Sequence, residues 1–175
     1  VVAYLTNGSF AVLNVTVSQA SVNGVPTTVT SPMYSVNQTS SFISKVAPGT
    51  TVSSLSSNIN ERNYIRVTKD GKAMSTADAV TTGCVVSIMN GSSVLKSYTV
   101  IVTGDINIKN TAADGKISIT DLLAIRDELL SGTGVLTGAN YKAADTNGDG
   151  KVSISDLLEI RDHLLGTSKI EPLAY

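Results

Sequence analysis

The sequence predicts an α+β, multidomain chain: a β-rich first part over residues 1–103, Ig-like or a small α+β module, then an all-α part over 104–168 and a short tail, 169–175. Three observations carry this. Of the first 103 residues 31 are Ser or Thr, interleaved with valines and few charges, a composition suited to strands and poor in helix formers. Near Thr103 the composition changes abruptly, and the net charge passes from plus three over 1–103 (6 basic, 3 acidic) to minus four over 104–175 (7 basic, 11 acidic). Residues 114–130 (DGKISITDLLAIRDELL) return at 149–165 (DGKVSISDLLEIRDHLL) with 13 of 17 positions identical, which chance does not produce.

In the first part, strands are expected at 1–6, 10–19 and 25–30 around Asn7-Gly8 and Asn23-Gly24 turns, because Asn-Gly pairs supply the positive φ that tight hairpins require. A boundary is expected near Ser31-Pro32. Strand signals follow at 34–36 and 42–43, then a Pro48-Gly49 turn. Val52, Leu55 and Ile59 share one face of a helix capped by threonine. Strands at 64–68, 85–89 and 94–102 complete the part, the last two joined through Asn90-Gly91, and the final one runs into Gly104-Asp105 without a Pro- or Ser-rich spacer, so the two parts should touch. Cys84, the single cysteine, sits in an apolar run and reads as a small core residue. No run approaches the ~20 apolar residues that span a bilayer. Val1 opens with no signal-peptide pattern, so the chain reads as the tail end of a longer secreted, extracellular or cell-surface protein.

The second part opens with chemistry. Over residues 145–156, Asp145, Asn147 and Asp149 stand at positions 1, 3 and 5 of a twelve-residue loop. Gly150 holds position 6, where the chain turns sharply, Lys151 offers a backbone carbonyl, Ser153 a direct or water-mediated oxygen, and Asp156 a carboxylate on the first turn of the next helix. Six to eight oxygens on a flexible loop are what calcium requires. Glu is usual at the last position; Asp is one methylene shorter, so a weaker site is expected. In the first copy, counting back from Asp121 puts Asn110 and Ala112 at the first two ligand positions, and alanine has no side-chain oxygen. A loop begun at Asp105 and Asn107, with five extra residues looped out within 108–113, and completed by Asp114, the Lys116 carbonyl, Ser118 and Asp121, restores the ligand set. A degenerate loop without an ion is the alternative.

Each helix carries two stripes at spacings of three and four: Leu122, Ile125, Leu129 beside Leu123, Arg126, Leu130, and Leu157, Ile160, Leu164 beside Leu158, Arg161, Leu165. One stripe must pack the helices together. The other is either further core or a surface left for a partner, and a domain this small has little volume to hide both.

Loop, helix and duplication together resemble a dockerin, the duplicated calcium-loop-and-helix module that docks onto cohesin domains in cellulosome-type assemblies; the resemblance covers about residues 104–168. It implies paired EF-hand-like loops holding two Ca2+ ions, a short connecting helix over 136–144 with Thr137 as its cap, and a cohesin partner. Carried over position by position, the partner-binding residues are Ile119, Thr120, Arg126 and Asp127 in the first repeat and Ile154, Ser155, Arg161 and Asp162 in the second, with Leu123, Leu130, Leu158 and Leu165 of the exposed stripes. Near-identical faces imply that a cohesin is held in either of two orientations, unless the inserted residues remove the equivalence.

Other functions lack material. The first part has Glu61, Asp70 and Asp78 as its only carboxylates and no histidine, so neither a glycosidase pair nor a catalytic triad is evident. His163 falls on the last helix, at an exposed position near its C-terminal end. There is no tryptophan, and the aromatics lie singly, which argues against a sugar-binding platform; polysaccharide contact would come through an attached enzyme. A net charge of −1 without a basic run argues against nucleic acid. The tail is read either as disordered or as a clasp, with Ile170, Pro172 or Tyr175 covering the start of the first repeat near Ile106. The reading is a non-catalytic, calcium-dependent docking module that anchors an upstream protein to a scaffold or cell surface; the alternative is a calcium-stiffened structural, adhesive or carbohydrate-binding stalk.

Overall fold

The computed structural model describes the backbone of residues 2–4 and 10–12, and residues 20–107, 113–132 and 134–175 in full. Strands β1 (Val2–Tyr4) and β2 (Phe10–Val12) pair antiparallel. The Asn7-Gly8 turn expected between them lies outside the described residues. β3 (Ser21–Val22) and β4 (Val25–Pro26) form a hairpin whose turn residues Asn23 and Gly24 take φ of 53° and 78°, the left-handed conformation that selects Asn-Gly there. The strand expected over 25–30 is cut short at Pro26, which has no N–H for a ladder. Beyond it the backbone bonds to side chains instead, Val29 N–H to the Tyr98 hydroxyl and Thr30 N–H to the Glu61 carboxylate.

Then follow β5 (Ser35–Asn37), β6 (Phe42–Val46), helix α1 (Val52–Ser57), β7 (Ile65–Lys69), β8 (Lys72–Ala73), β9 (Val85–Asn90) and β10 (Ser93–Val102). They build one six-stranded sheet in the order β5-β6-β10-β9-β7-β8, antiparallel throughout except that β6 runs parallel to β10. An Ig-like fold would stack two sheets. Residues 20–103 form the other expected arrangement, a small α+β module, with α1 capped by Thr51 and its Val52 and Leu55 buried in the core. Val25, Val29 and Tyr34 enter the same core as Cys84, Val86 and Val100, so no break in packing falls near residue 31. Cys84 is fully buried there.

A second core gathers Ile106, Ala124, Ile125, Leu136, Ala143, Ala144 and Ile160, and Ile101 belongs to it too. The two-residue period of a strand explains this: Val100 and Val102 of β10 point into the first core and Ile101 between them into the second. The sheet is thus the floor of both parts. Three helices follow, α2 (Ile119–Ser131), α3 (Gly138–Ala144) and α4 (Ile154–Leu164), with α3 against β10 and α2 against α4. Gly104 N–H donates to the Ala143 carbonyl across this seam at 2.7 Å. Among the described residues no helix is long and apolar enough to cross a membrane.

The tail is an ordered clasp, anchored more widely than expected. Ile170 and Tyr175 pack on the core that holds Ile106. The tail also reaches β6: the Leu173 carbonyl accepts from Lys45 N–H, Leu173 N–H donates to the Thr103 hydroxyl, and Tyr175 N–H to the Ser44 hydroxyl. His163 is half-buried rather than exposed, because its Nδ1 accepts from Ile170 N–H at 3.2 Å.

Candidate functional site

Helices α2 and α4 begin alike. Ser118 and Ser153 are their N-caps, and in each case the carboxylate three residues on, Asp121 or Asp156, accepts from the cap's own N–H at 2.8 Å. This capping box fixes the last loop position onto the first helical turn. Both carboxylates also reach back to the loop entrance: Asp121 Oδ1 accepts from Ile106 N–H at 2.7 Å, and Asp156 Oδ1 from Thr146 N–H at 2.9 Å. Each loop is therefore closed on itself through its final Asp.

Two further hydrogen bonds match across the repeats. Asp114 Oδ1 accepts from Lys116 N–H at 3.0 Å as Asp149 Oδ1 accepts from Lys151 N–H at 2.9 Å. The first-position carboxylates, Asp105 and Asp145, accept from the N–H of Gly115 (3.1 Å) and Gly150 (3.0 Å). Both glycines have positive φ, 80° and 87°, which explains the residue type at the sharp turn. Residues 108–112, within the longer first loop, lie outside the described residues; Gly115 N–H still bonds to Asp105 as Gly150 N–H does to Asp145, whereas Asp114 N–H also goes to Asp105 and its counterpart Asp149 N–H goes to Asn147. Toward the turn glycine, Asp105 thus stands where Asp145 stands in the second loop.

Electrostatically both loops are short of positive charge. Burial holds the Asp105 carboxyl well above the usual range, at about 6; amide donors, led by Thr82, oppose this and the Asp121 charge adds to it. Burial likewise raises Asp121, and Asp145 is raised by burial against the Gly150 amide, with repulsion from Asp156 and Asp149 adding to it. Among the described residues Asp145 Oδ1 is the buried side-chain oxygen without a hydrogen-bond partner. An unpaired buried carboxylate oxygen is costly unless a donor or a cation meets it. The donor set around it is all oxygen and fits a hard cation. No group of three or more His, Cys, Asp or Glu side chains is gathered among the described residues. Asn147, Ser153 and main-chain carbonyls would have to supply the balance. Asn147 Oδ1 is tied to Asp149 N–H at 2.9 Å, and Asn107 N–H to Asn140 Oδ1 at 2.9 Å.

The exposed stripes also correspond. Ile119 and Ile154 are 60% and 66% exposed, Leu130 and Leu165 77% and 68%. Arg126 pairs with Asp127 and Arg161 with Asp162, each at 2.6 Å. The hydroxyls of Thr120 and Ser155 each meet that of their helix cap at 2.7 Å. Leu123 is half-buried and Leu158 more open. Ile125 and Ile160 supply the helix-to-helix core, flanked by Leu122, Leu129 and Leu157. Leu164 departs from its expected core position: α4 ends there, and its side chain is exposed where its counterpart Leu129 is packed.

Several contacts had no signal in the local sequence. Glu128 is buried and accepts from the N–H groups of Gly134 and Leu136, which tie the α2–α3 connection. Tyr175 donates its hydroxyl to the Asp145 carbonyl beneath the second loop, and burial raises its pKa. Thr82 and Lys69 of the β-rich part reach the first loop.

The family model for the dockerin type I domain matches residues 103–165. No curated protein and no solved structure matches the chain. The matched segment spans both loops, all three helices and the equivalent exposed stripes described above. Residues 103–165 form a dockerin module, and the part of the chain before it is a β-rich module.

Proposed function

We propose that the chain is a non-catalytic, calcium-dependent docking element that binds a cohesin domain and anchors an upstream secreted protein to a cellulosome-type scaffold or cell surface. The observation that carries this is the pairing of two loop-and-helix units with corresponding turn hydrogen bonds around one core, each leaving an isoleucine and a leucine at equivalent positions exposed, Ile119 and Leu130 or Ile154 and Leu165. The first loop would hold its ion through Asp105, Asn107, Asp114, the Lys116 carbonyl, Ser118 and Asp121. The second would use Asp145, Asn147, Asp149, the Lys151 carbonyl, Ser153 and Asp156. Calcium, when bound, supplies the positive charge that these clustered carboxylates lack. Asp121 and Asp156 then act on both sides, toward the loop entrance and toward the first turn of a helix, so that the loop sets the attitude of Ile119, Thr120, Arg126 and Leu130, or of Ile154, Ser155, Arg161 and Leu165.

Near-equivalent faces support binding in two orientations. Replacing Ile119, Thr120 and Arg126 by alanine should leave cohesin affinity within a few-fold, since the second face substitutes; adding Ile154→Ala, Ser155→Ala and Arg161→Ala should abolish it. A pull-down and calorimetric titration against a panel of cohesins checks this. Loss of all binding with the first triple variant would reject the two-orientation mode. A chain that loads calcium yet binds no cohesin would leave the bracing-stalk reading in its place.

A further inference from the structure

The loops share their turn and capping hydrogen bonds, but the β-rich module grips the first one from outside. Asp105 Oδ1 accepts from Asp114 N–H and Gly115 N–H, while its Oδ2 accepts from Thr82 N–H at 2.9 Å, a donor 23 residues away in the β-rich module. The corresponding second oxygen of Asp145 is the one left without a partner. Gly49 N–H donates to the Gly115 carbonyl at 2.8 Å, and Lys69 Nζ donates to the Ala113 carbonyl. The fit is close: a Cβ on Gly115 would lie 2.9 Å from the Val80 carbonyl oxygen, whereas one on Gly150, at the same loop position, would meet nothing within 4 Å. The second loop is touched instead by the tail, through Tyr175 and Leu173, and by Tyr141 of α3, whose hydroxyl accepts from Val152 N–H.

We propose that the β-rich module is a clamp for the first calcium loop, in which Lys69, Thr82 and Gly49 are positioning residues that hold the interrupted loop closed in its ion-binding shape. This rests on the reading of that loop as a calcium site. Five extra residues raise the cost of closing it, and donors already in place reduce the ordering that an ion would have to impose. The donors suit the task, because Lys69 contacts a carbonyl. Among the described residues the ion pairs are Arg126–Asp127 and Arg161–Asp162, so no lysine or arginine pairs with a carboxylate of the first loop. Coupling of this kind is reciprocal: what the clamp does for the ion, the ion must do for the clamp. Among the described residues the second loop has no direct hydrogen bond to the sheet and reaches it by way of Tyr175, so the two ions should differ in what they sense.

The test uses the full chain, with calcium titration by calorimetry and amide hydrogen exchange followed by NMR. Wild type should bind two ions, and saturation should slow exchange of the Gly49 and Thr82 amides. Lys69→Met should weaken one ion by about fivefold or more, the low end of usual site-to-site coupling, and leave the other unchanged. Lys72→Met, which removes a nearby charge without the carbonyl contact, should change neither ion by that much. Two ions bound, with Gly49 and Thr82 exchange indifferent to calcium and Lys69→Met titrating as wild type, would overturn the clamp. One ion per wild-type chain, abolished by Asp145→Asn, would instead remove the first loop as a calcium site, and the clamp with it.

Discussion

Asp105 concentrates the chemistry of the first loop in one side chain. It is fully buried, accepts three amide hydrogens, and still has its pKa raised to about 6, because burial outweighs those donors. An unfolded Asp titrates near ~3.9. The metal-free folded chain therefore binds more protons than the unfolded one in the interval between, and its stability must increase as pH falls toward 5 and decrease as pH rises through about 6. Asp121 and Asp145 shift in the same direction. In a chelator, the thermal midpoint should be higher at pH 5 than at pH 7. In excess calcium the order should reverse, because protons then compete with the ion. A chelated chain that melts lower at pH 5 would show that these carboxylates are not the source of strain. The residue types of the second loop were legible from spacing alone, since Asp, Asn, Gly and Ser at fixed offsets each have a local reason to be there. The third partner of Asp105 was not, because Thr82 is distant in sequence and donates a main-chain N–H that any residue but proline could offer.

The helices divide their leucines and isoleucines by packing, some into the core between the repeats and some onto the surface. Ile160 is fully buried between the repeats, and Leu165, one turn on, is 68% exposed. Ile160→Ala should cost about 2–5 kcal/mol of unfolding free energy, as buried large-to-small changes do. Leu165→Ala should cost less than about 0.5 kcal/mol, as surface changes do. Denaturant titration reads both. If the exposed stripe serves a partner, Leu165→Ala combined with Leu130→Ala should weaken cohesin binding while the denaturation midpoint holds; equal losses in both measurements would mean that the stripe is part of the core. Periodicity found these stripes because a helix face is a local property. It misplaced Leu164, since the same period continues on paper past the point where α4 ends. In the first part, turn signals located the strands from β5 to β10 to within a few residues, β8 apart, but gave no hint of the parallel pairing of β6 with β10, which joins segments more than 50 residues apart.

At the scale of the whole molecule, the two modules share a sheet instead of meeting through a linker. Ile101 faces the helices while Val100 and Val102 face the other core, Gly104 bonds to α3, and the tail returns to β6 through Lys45 and Ser44. The absence of a spacer before Gly104 foretold contact, and the alternation of β10 explains how it is made. The dockerin module is thereby held to the sheet through α3 and the first loop, while the second loop reaches it by way of the tail. The helices are different: their first turns are fixed by Asp121 and Asp156, the last carboxylates of two acidic loops. The central claim is that calcium organises this module for cohesin. It is tested most directly by following far-ultraviolet circular dichroism and cohesin binding of the same full-length sample as calcium is removed by EDTA and restored. Helical signal and binding should fall together and return together, with the β-sheet signal largely kept; undiminished cohesin binding in excess EDTA would contradict it.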